Sequence, residues 1–208
     1  MERALKKVLE AKHRAILAQE RSWAVSVART VIKPRPISVW EFLIPVLLIF
    51  SFAKTKSEKE VIIQNLLFTK ELALKAALDM AKNGRNREEV LFPIEEKTSG
   101  LVNTVKDGIY SEEIRQKQLK EIHLLIDHYC RLLNAEGGSY ASLVINAYQA
   151  PEPFTNFLTQ LKASEKEVNL AAMQTLGRRA DPELVKRMEE TTDRVRMAAA
   201  RKIFKTTT

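Results

Sequence analysis

"PISVWEFLIPVLLIFSFAKTK", from Pro36 to Lys56, is the least polar stretch of this chain, and its reading as buried core helix or membrane element decides the architecture. From Ile37 to Ala53 a helix rises about 25 Å, at about 1.5 Å per residue, a little short of the roughly 30 Å hydrocarbon core of a bilayer. Thinning of the bilayer and snorkelling of Lys33, Arg35, Lys54 and Lys56 can absorb that shortfall. Trp40 stands where an interfacial aromatic belongs, and Glu41 lies near the end, within reach of headgroups. The residues read as the membrane segment are Trp40, Phe42, Leu43, Ile44, Pro45, Val46, Leu47, Leu48, Ile49 and Phe50. Pro45 removes one backbone hydrogen bond, which membrane helices tolerate, and a proline-broken segment can also dip in and return. The other reading, a fully buried helix of a soluble bundle, keeps the same residues as core.

Working outward, residues 1–36 carry nine Lys/Arg against three Glu, so most of the formal charge of +8 sits at the front. Leu5, Val8, Leu9, Ile16, Trp23, Val27 and Val31 recur at helical spacings there, which predicts a basic amphipathic helix over 2–31 that anionic headgroups attract. "IKPRP" stops it, because Pro34 and Pro36 disfavour helix at the residues before them. Ser38 and Glu41 then have the spacing of a reciprocal helix-capping pair. If the apolar run spans, the positive-inside rule puts the amino end in the cytoplasm and the rest outside; if it only embeds, all of the chain stays cytoplasmic. The single cysteine, Cys130, allows no internal disulfide and fits a reducing compartment. The apolar run starts too far from the amino end to read as a secretory signal.

Beyond the run, Val61, Ile62, Leu66, Leu67, Leu72, Leu74, Ala77 and Leu78 predict a second long helix, from about Ser57 to Lys82. Residues 83–110, punctuated by Gly84, Pro93, Gly100 and Gly108, read as an irregular connector that completes a 57–110 unit. Residues 111–208 read as a helical bundle. Ile114, Ile122, Leu125, Ile126, Tyr129, Leu132 and Leu133 form one stripe that ends before Glu136–Gly138. Thr155–Gly177 then aligns with Pro182–Phe204 at a shift of twenty-seven, pairing Phe157 with Leu184, Leu158 with Val185, Leu161 with Met188 and Leu176 with Ile203. A weaker copy precedes them over 129–148. Such an echo predicts two helices per unit, the second rich in alanine so that a neighbour packs closely.

Val195, Arg196, Ala198 and Ala199, with Asp181, Pro182 and Val185 before them, give residues 164–204 a pattern that resembles HEAT-type helical repeats. The resemblance implies stacked helix pairs and a protein-binding surface, and it implies no active site.

One polar cluster stands out: in "EIHLLIDHYC", His123, Asp127 and Cys130 share a helix flank at i, i+4 and i+7. Three donors on one straight helix seldom converge on one ion, so the expectation is that His123 pairs with Asp127 and Cys130 packs as a small hydrophobe. No phosphate-binding loop or nucleophile elbow is present, and no cofactor is expected. Nucleic-acid binding rests on Arg178, Arg179, Lys186, Arg187, Arg194, Arg196, Arg201, Lys202 and Lys205, but acids interleave them and stacking aromatics are scarce. The reading is an all-α, noncatalytic, membrane-associated scaffold with lipid and protein as partners. A soluble cytoplasmic adaptor and a nucleic-acid-binding protein are the alternatives.

Overall fold

The computed structural model describes residues 2–31, 57–104 and 110–205, and among them the chain is all-helical. The elements are α1 (Glu2–Val31), α2 (Glu58–Asn83), α3 (Arg87–Thr104), α4 (Glu112–Asn134), α5 (Tyr140–Tyr148), α6 (Pro151–Leu176) and α7 (Pro182–Lys205), with a 3-10 turn at Gly177–Arg179 before α7. Residues 37–53, with Trp40 and Phe42 to Phe50, lie outside the described residues. Among the described residues no helix is long and apolar enough to cross a membrane.

Local chemistry sets the helix ends. Ser57 and Ser111 accept hydrogen bonds from the amides of Glu60 and Ile114, which satisfies one orphan donor at each start. Gly84 closes α2 in the left-handed region, at φ 66°, where a Cβ is disfavoured, and its amide returns to the Met80 carbonyl. Pro151 occupies the first turn of α6, where a missing amide hydrogen costs nothing.

Packing then follows the stripes. Leu9, Ile16 and Trp23 of α1 share a buried cluster with Leu74 and Ala77 of α2, with Ile122, Leu125, Ile126 and Tyr129 of α4, and with Phe154, Leu158 and Leu161 of α6. A second cluster joins the end of α1 (Val27, Ala28, Val31) to the beginnings of α2 (Val61, Ile62) and α7 (Leu184, Met188). A third holds Tyr110 and Ile114 against Ala171 of α6. The core thus draws on residues from both sides of positions 56 and 110.

Three expectations are corrected here. The apolar stripe of α1 does not lie free for a lipid surface, because Leu9, Ile16, Trp23, Val27 and Val31 are all buried in the bundle. Only Leu5 and Val8 near its start remain exposed. Residues 87–104 are helix rather than connector. Asn86 and Glu89 form a reciprocal cap, each backbone amide donating to the other side chain at 2.9 Å, and Val90, Leu91, Ile94 and Thr98 bury one face while Pro93 stays outside. Capping plus a buried face outweighs the proline penalty. Thr155–Leu176 and Pro182–Phe204 each lie within one continuous helix and not a helix pair, since no glycine or proline interrupts either stretch before its end. The echo is of buried positions: Phe157, Leu158, Leu161 and Leu176 match Leu184, Val185, Met188 and Ile203, all in the core.

Removing the α3 cap by Asn86→Ala is expected to cost about 1 kcal/mol in urea unfolding. The exposed Glu96→Gln on the same helix is expected to stay within about 0.5 kcal/mol of the parent. An Asn86→Ala protein as stable as the parent would show that the cap does not hold α3.

Candidate functional site

The predicted polar cluster does not assemble. Asp127 takes a 2.6 Å ion pair from Arg87, whose second terminal nitrogen donates to the His123 carbonyl, so the expected pairing of His123 with Asp127 gives way to a tie between α3 and α4. The pair is exposed, which makes it a weak fastener. Cys130 is half-buried with its Sγ 3.9 Å from Met80 Sδ, and burial pushes its thiol up. Among the described residues no group of three or more His, Cys, Asp or Glu side chains could hold a metal ion.

His128, one position past Asp127, carries more structure than its neighbours. It is buried, stacks on Phe157 with ring centroids 3.9 Å apart, and shares a 2.7 Å hydrogen bond between Nδ1 and the Tyr148 hydroxyl. Burial, reinforced by Arg131 and Arg196, pushes its pKa down to about 3, so the ring is neutral.

The site with chemistry in it is a buried ionic network that no sequence motif announced. Glu165 of α6 takes Lys70 Nζ at 2.5 Å and both terminal nitrogens of Arg196, at 2.6 and 3.0 Å. Lys70 also donates to Glu121 at 2.8 Å, and the Thr69 hydroxyl donates to the same carboxylate oxygen at 2.6 Å. A third carboxyl, Glu20 of α1, accepts from the Tyr129 hydroxyl at 3.0 Å. Glu20 and Arg196 are each only 6% exposed. One missed signal was available: Lys70, Glu121 and Arg196 interrupt the apolar stripes of their own helices, and charges at buried positions must find partners.

Electrostatics fixes most of these charges. Glu165 has to overcome burial, yet Arg196 and Lys70 together hold its pKa down at about 2. Burial opposes the charge on Lys70, but Glu121 and Glu165 raise its pKa on balance, and Arg196 is raised by Glu165 likewise. Lys70 is therefore a cation rather than a nucleophile at neutral pH. Glu20 goes the other way: burial raises its pKa against the pull of Arg196 and Lys70.

Beside the network a cavity of about 120 Å³ opens between α2, α4, α6 and α7. Its walls combine apolar side chains, among them Leu66, Leu158, Val168 and Met188, with the uncharged polar Asn65, Gln118, Asn169 and Thr192. Lys70, Glu121, Glu165 and Arg196 form the buried floor, and the more accessible Lys162, Glu189 and Asp193 stand on the lining toward the surface. Of the basic residues that argued for nucleic acid, Arg196 is thus committed to the interior. Comparison with protein-family models, with curated proteins and with solved structures finds no match for this chain.

Two variants test the energetics. Glu165→Gln leaves two buried cations without their shared carboxylate and is expected to cost about 3 to 5 kcal/mol in urea unfolding. His128 has its folded pKa below its unfolded one, so its contribution is whole above pH 6.5 and is lost as pH falls toward 3. Between pH 6.5 and 5.0 the parent is expected to lose about 2 kcal/mol more than His128→Phe. Equal slopes in the two proteins would show that this imidazole is not buried neutral.

Proposed function

We propose that this chain is a noncatalytic scaffold whose helical bundle is held on the cytoplasmic face of a bilayer by residues 37–53, leaving its outer faces for a protein partner. One observation carries the reading. Val31, the last residue of α1, and Val61, in the first turn of α2, lie in the same buried cluster, so the described residues on either side of the apolar run sit at one end of the bundle.

That placement constrains topology. A single crossing would set α1 and α2 on opposite sides of the bilayer, and their shared core forbids it. Two helical crossings need about 40 residues. The run from 32 to 56 is too short for that, and an isolated strand hairpin would expose unpaired backbone edges to lipid. A segment that enters and leaves one leaflet satisfies both limits. The arrangement also accounts for basic residues on both flanks, because Lys33, Arg35, Lys54 and Lys56 then meet the same headgroup layer. The sequence-level alternative that puts the amino end inside and the remainder outside drops out on this reading.

Two members of the network support the noncatalytic part. Glu165 and Lys70 are held in their charged forms, so they offer fixed electrostatics and no proton exchange near neutral pH.

Alkaline carbonate washing of membranes tests the anchor. The intact chain is expected in the pellet, and a chain with 37–53 replaced by a Gly-Ser linker is expected in the supernatant as a folded bundle. An intact chain that stays soluble, with a deletion that unfolds, would make these residues core and end the membrane reading. Lys7→Cys and Lys205→Cys, each on a Cys130→Ser background, are expected to react with an impermeant maleimide from the same side. Labelling from opposite sides would refute the one-leaflet topology.

A further inference from the structure

Two buried side chains on the cavity lining keep a hydrogen-bond donor that no described residue accepts. Gln118 is 2% exposed, and the Tyr110 hydroxyl donates to its Oε1 at 2.7 Å, which leaves its amide nitrogen without a partner among the described residues. Arg196 is 6% exposed and gives both terminal nitrogens to Glu165, which leaves its Nε unmatched. A buried donor without an acceptor is costly, so each of the two asks for an oxygen. Asn65 and Thr192 also stand on the lining with no hydrogen-bond partner among the described residues, and each brings both a donor and an acceptor. Acceptors are left open as well, because Glu121 receives Thr69 and Lys70 on Oε1 alone and Asn169 uses only its nitrogen, toward Glu189. The cations, by contrast, are matched: Lys70 by two carboxylates, Arg196 by a bidentate pair, Lys162 by Asp193. The open groups are therefore donors and acceptors together, set among apolar side chains, and no cation is left to neutralise an anion.

We propose that this cavity binds a small aliphatic compound with an uncharged head that both accepts and donates, a carboxamide or an alcohol, its oxygen accepting from Gln118 and its apolar chain against Leu66, Val168 and Met188. Gln118 and Glu121 stand three residues apart on α4 and so share a helix face, where one such head accepts from the first and donates to the second. An ammonium ion of the same length brings donors and no acceptor, so the Gln118 and Arg196 donors stay unmatched. A carboxylate brings acceptors and no donor, and it meets four carboxylates against three cations whose ion pairs it would have to break. Water supplies the same hydrogen bonds as the uncharged head, but only a ligand with a chain also takes the apolar walls out of contact with water. A cavity of about 120 Å³ accommodates a chain of several carbon atoms, and a few polar groups converging among apolar ones is the usual make-up of a small-molecule site. The assignment is independent of membrane attachment.

The test is an amide chemical-shift titration of the full chain at fixed pH 7 and ionic strength, with butanamide, n-butylammonium and butanoate as size-matched probes. Saturable shifts at Leu66, Val168 and Met188 are expected with butanamide, and each ion is expected to bind at least about tenfold more weakly. The double variant Tyr110→Phe with Gln118→Leu removes the amide donor together with the hydroxyl that its oxygen serves, so no buried partner is stranded, and it is expected to weaken butanamide roughly tenfold. Ala172→Phe, which fills the cavity from α6, is expected to abolish saturation. Either ion binding as tightly as butanamide, no saturation by butanamide, or binding unchanged in the double or the filled variant would each overturn the proposal. If a variant fails to fold, the ranking of the three probes on the parent chain still decides the outcome.

Discussion

The Glu165 carboxylate, shared between Lys70 and Arg196, is the interaction on which the rest of the bundle depends. It draws α2, α6 and α7 to one point, and through Lys70 it reaches Glu121 on α4. Hydrophobic burial is non-directional and lets long helices slide by a turn with little loss. A buried charge has no such freedom, since a slip of one turn, about 5.4 Å, strands it without a partner. The network therefore specifies helix register while the aliphatic stripes supply most of the driving force.

Around that point the core divides into three clusters rather than one. The main cluster runs along α1, α2, α4 and α6, the second closes the end where α1 meets α2 and α7, and the third seals the start of α4 against α6. The cavity lies where the ionic floor keeps aliphatic walls from closing on one another. Replacing such a network by well-packed apolar residues is often neutral or stabilising, so its presence is not explained by stability alone. Fixed register and a polar pocket are two properties an aliphatic core could not supply together.

The aromatic group around His128 plays a complementary part. His128, Tyr148, Phe154 and Phe157 pack as stacked and tilted rings between α4, α5 and α6, while Arg131 lies over the outer face of Tyr148. A neutral imidazole in that stack ties α5 to α4 through Tyr148 without bringing a further charge into the interior. Glu20 works against the same economy, since burial raises its pKa despite the pull of Arg196 and Lys70.

Much of the fold was legible before any tertiary information. The seven-residue stripe of α4 predicts a helix because periodicity is local, whereas the serine caps at Ser57 and Ser111, equally local, came to light only in the structure. The cap at Asn86 was equally local, and the punctuation by Pro93 and Gly100 hid it. The apparent repeat over α6 and α7 reflects two helices of similar length burying matched faces, a likeness that sequence alone cannot tell from stacked helix pairs. By itself the sequence determined that the chain is helical, where the stripes lie, and that residues 37–53 are exceptionally apolar. Tertiary structure alone decided that the α1 stripe faces protein, that both roots of the apolar run share one end of the bundle, and that Lys70, Glu121, Glu165 and Arg196 meet. The physical reason is separation along the chain: Lys70 and Glu165, 95 positions apart, become neighbours only when helices dock, and no local pattern encodes which buried charge will face which.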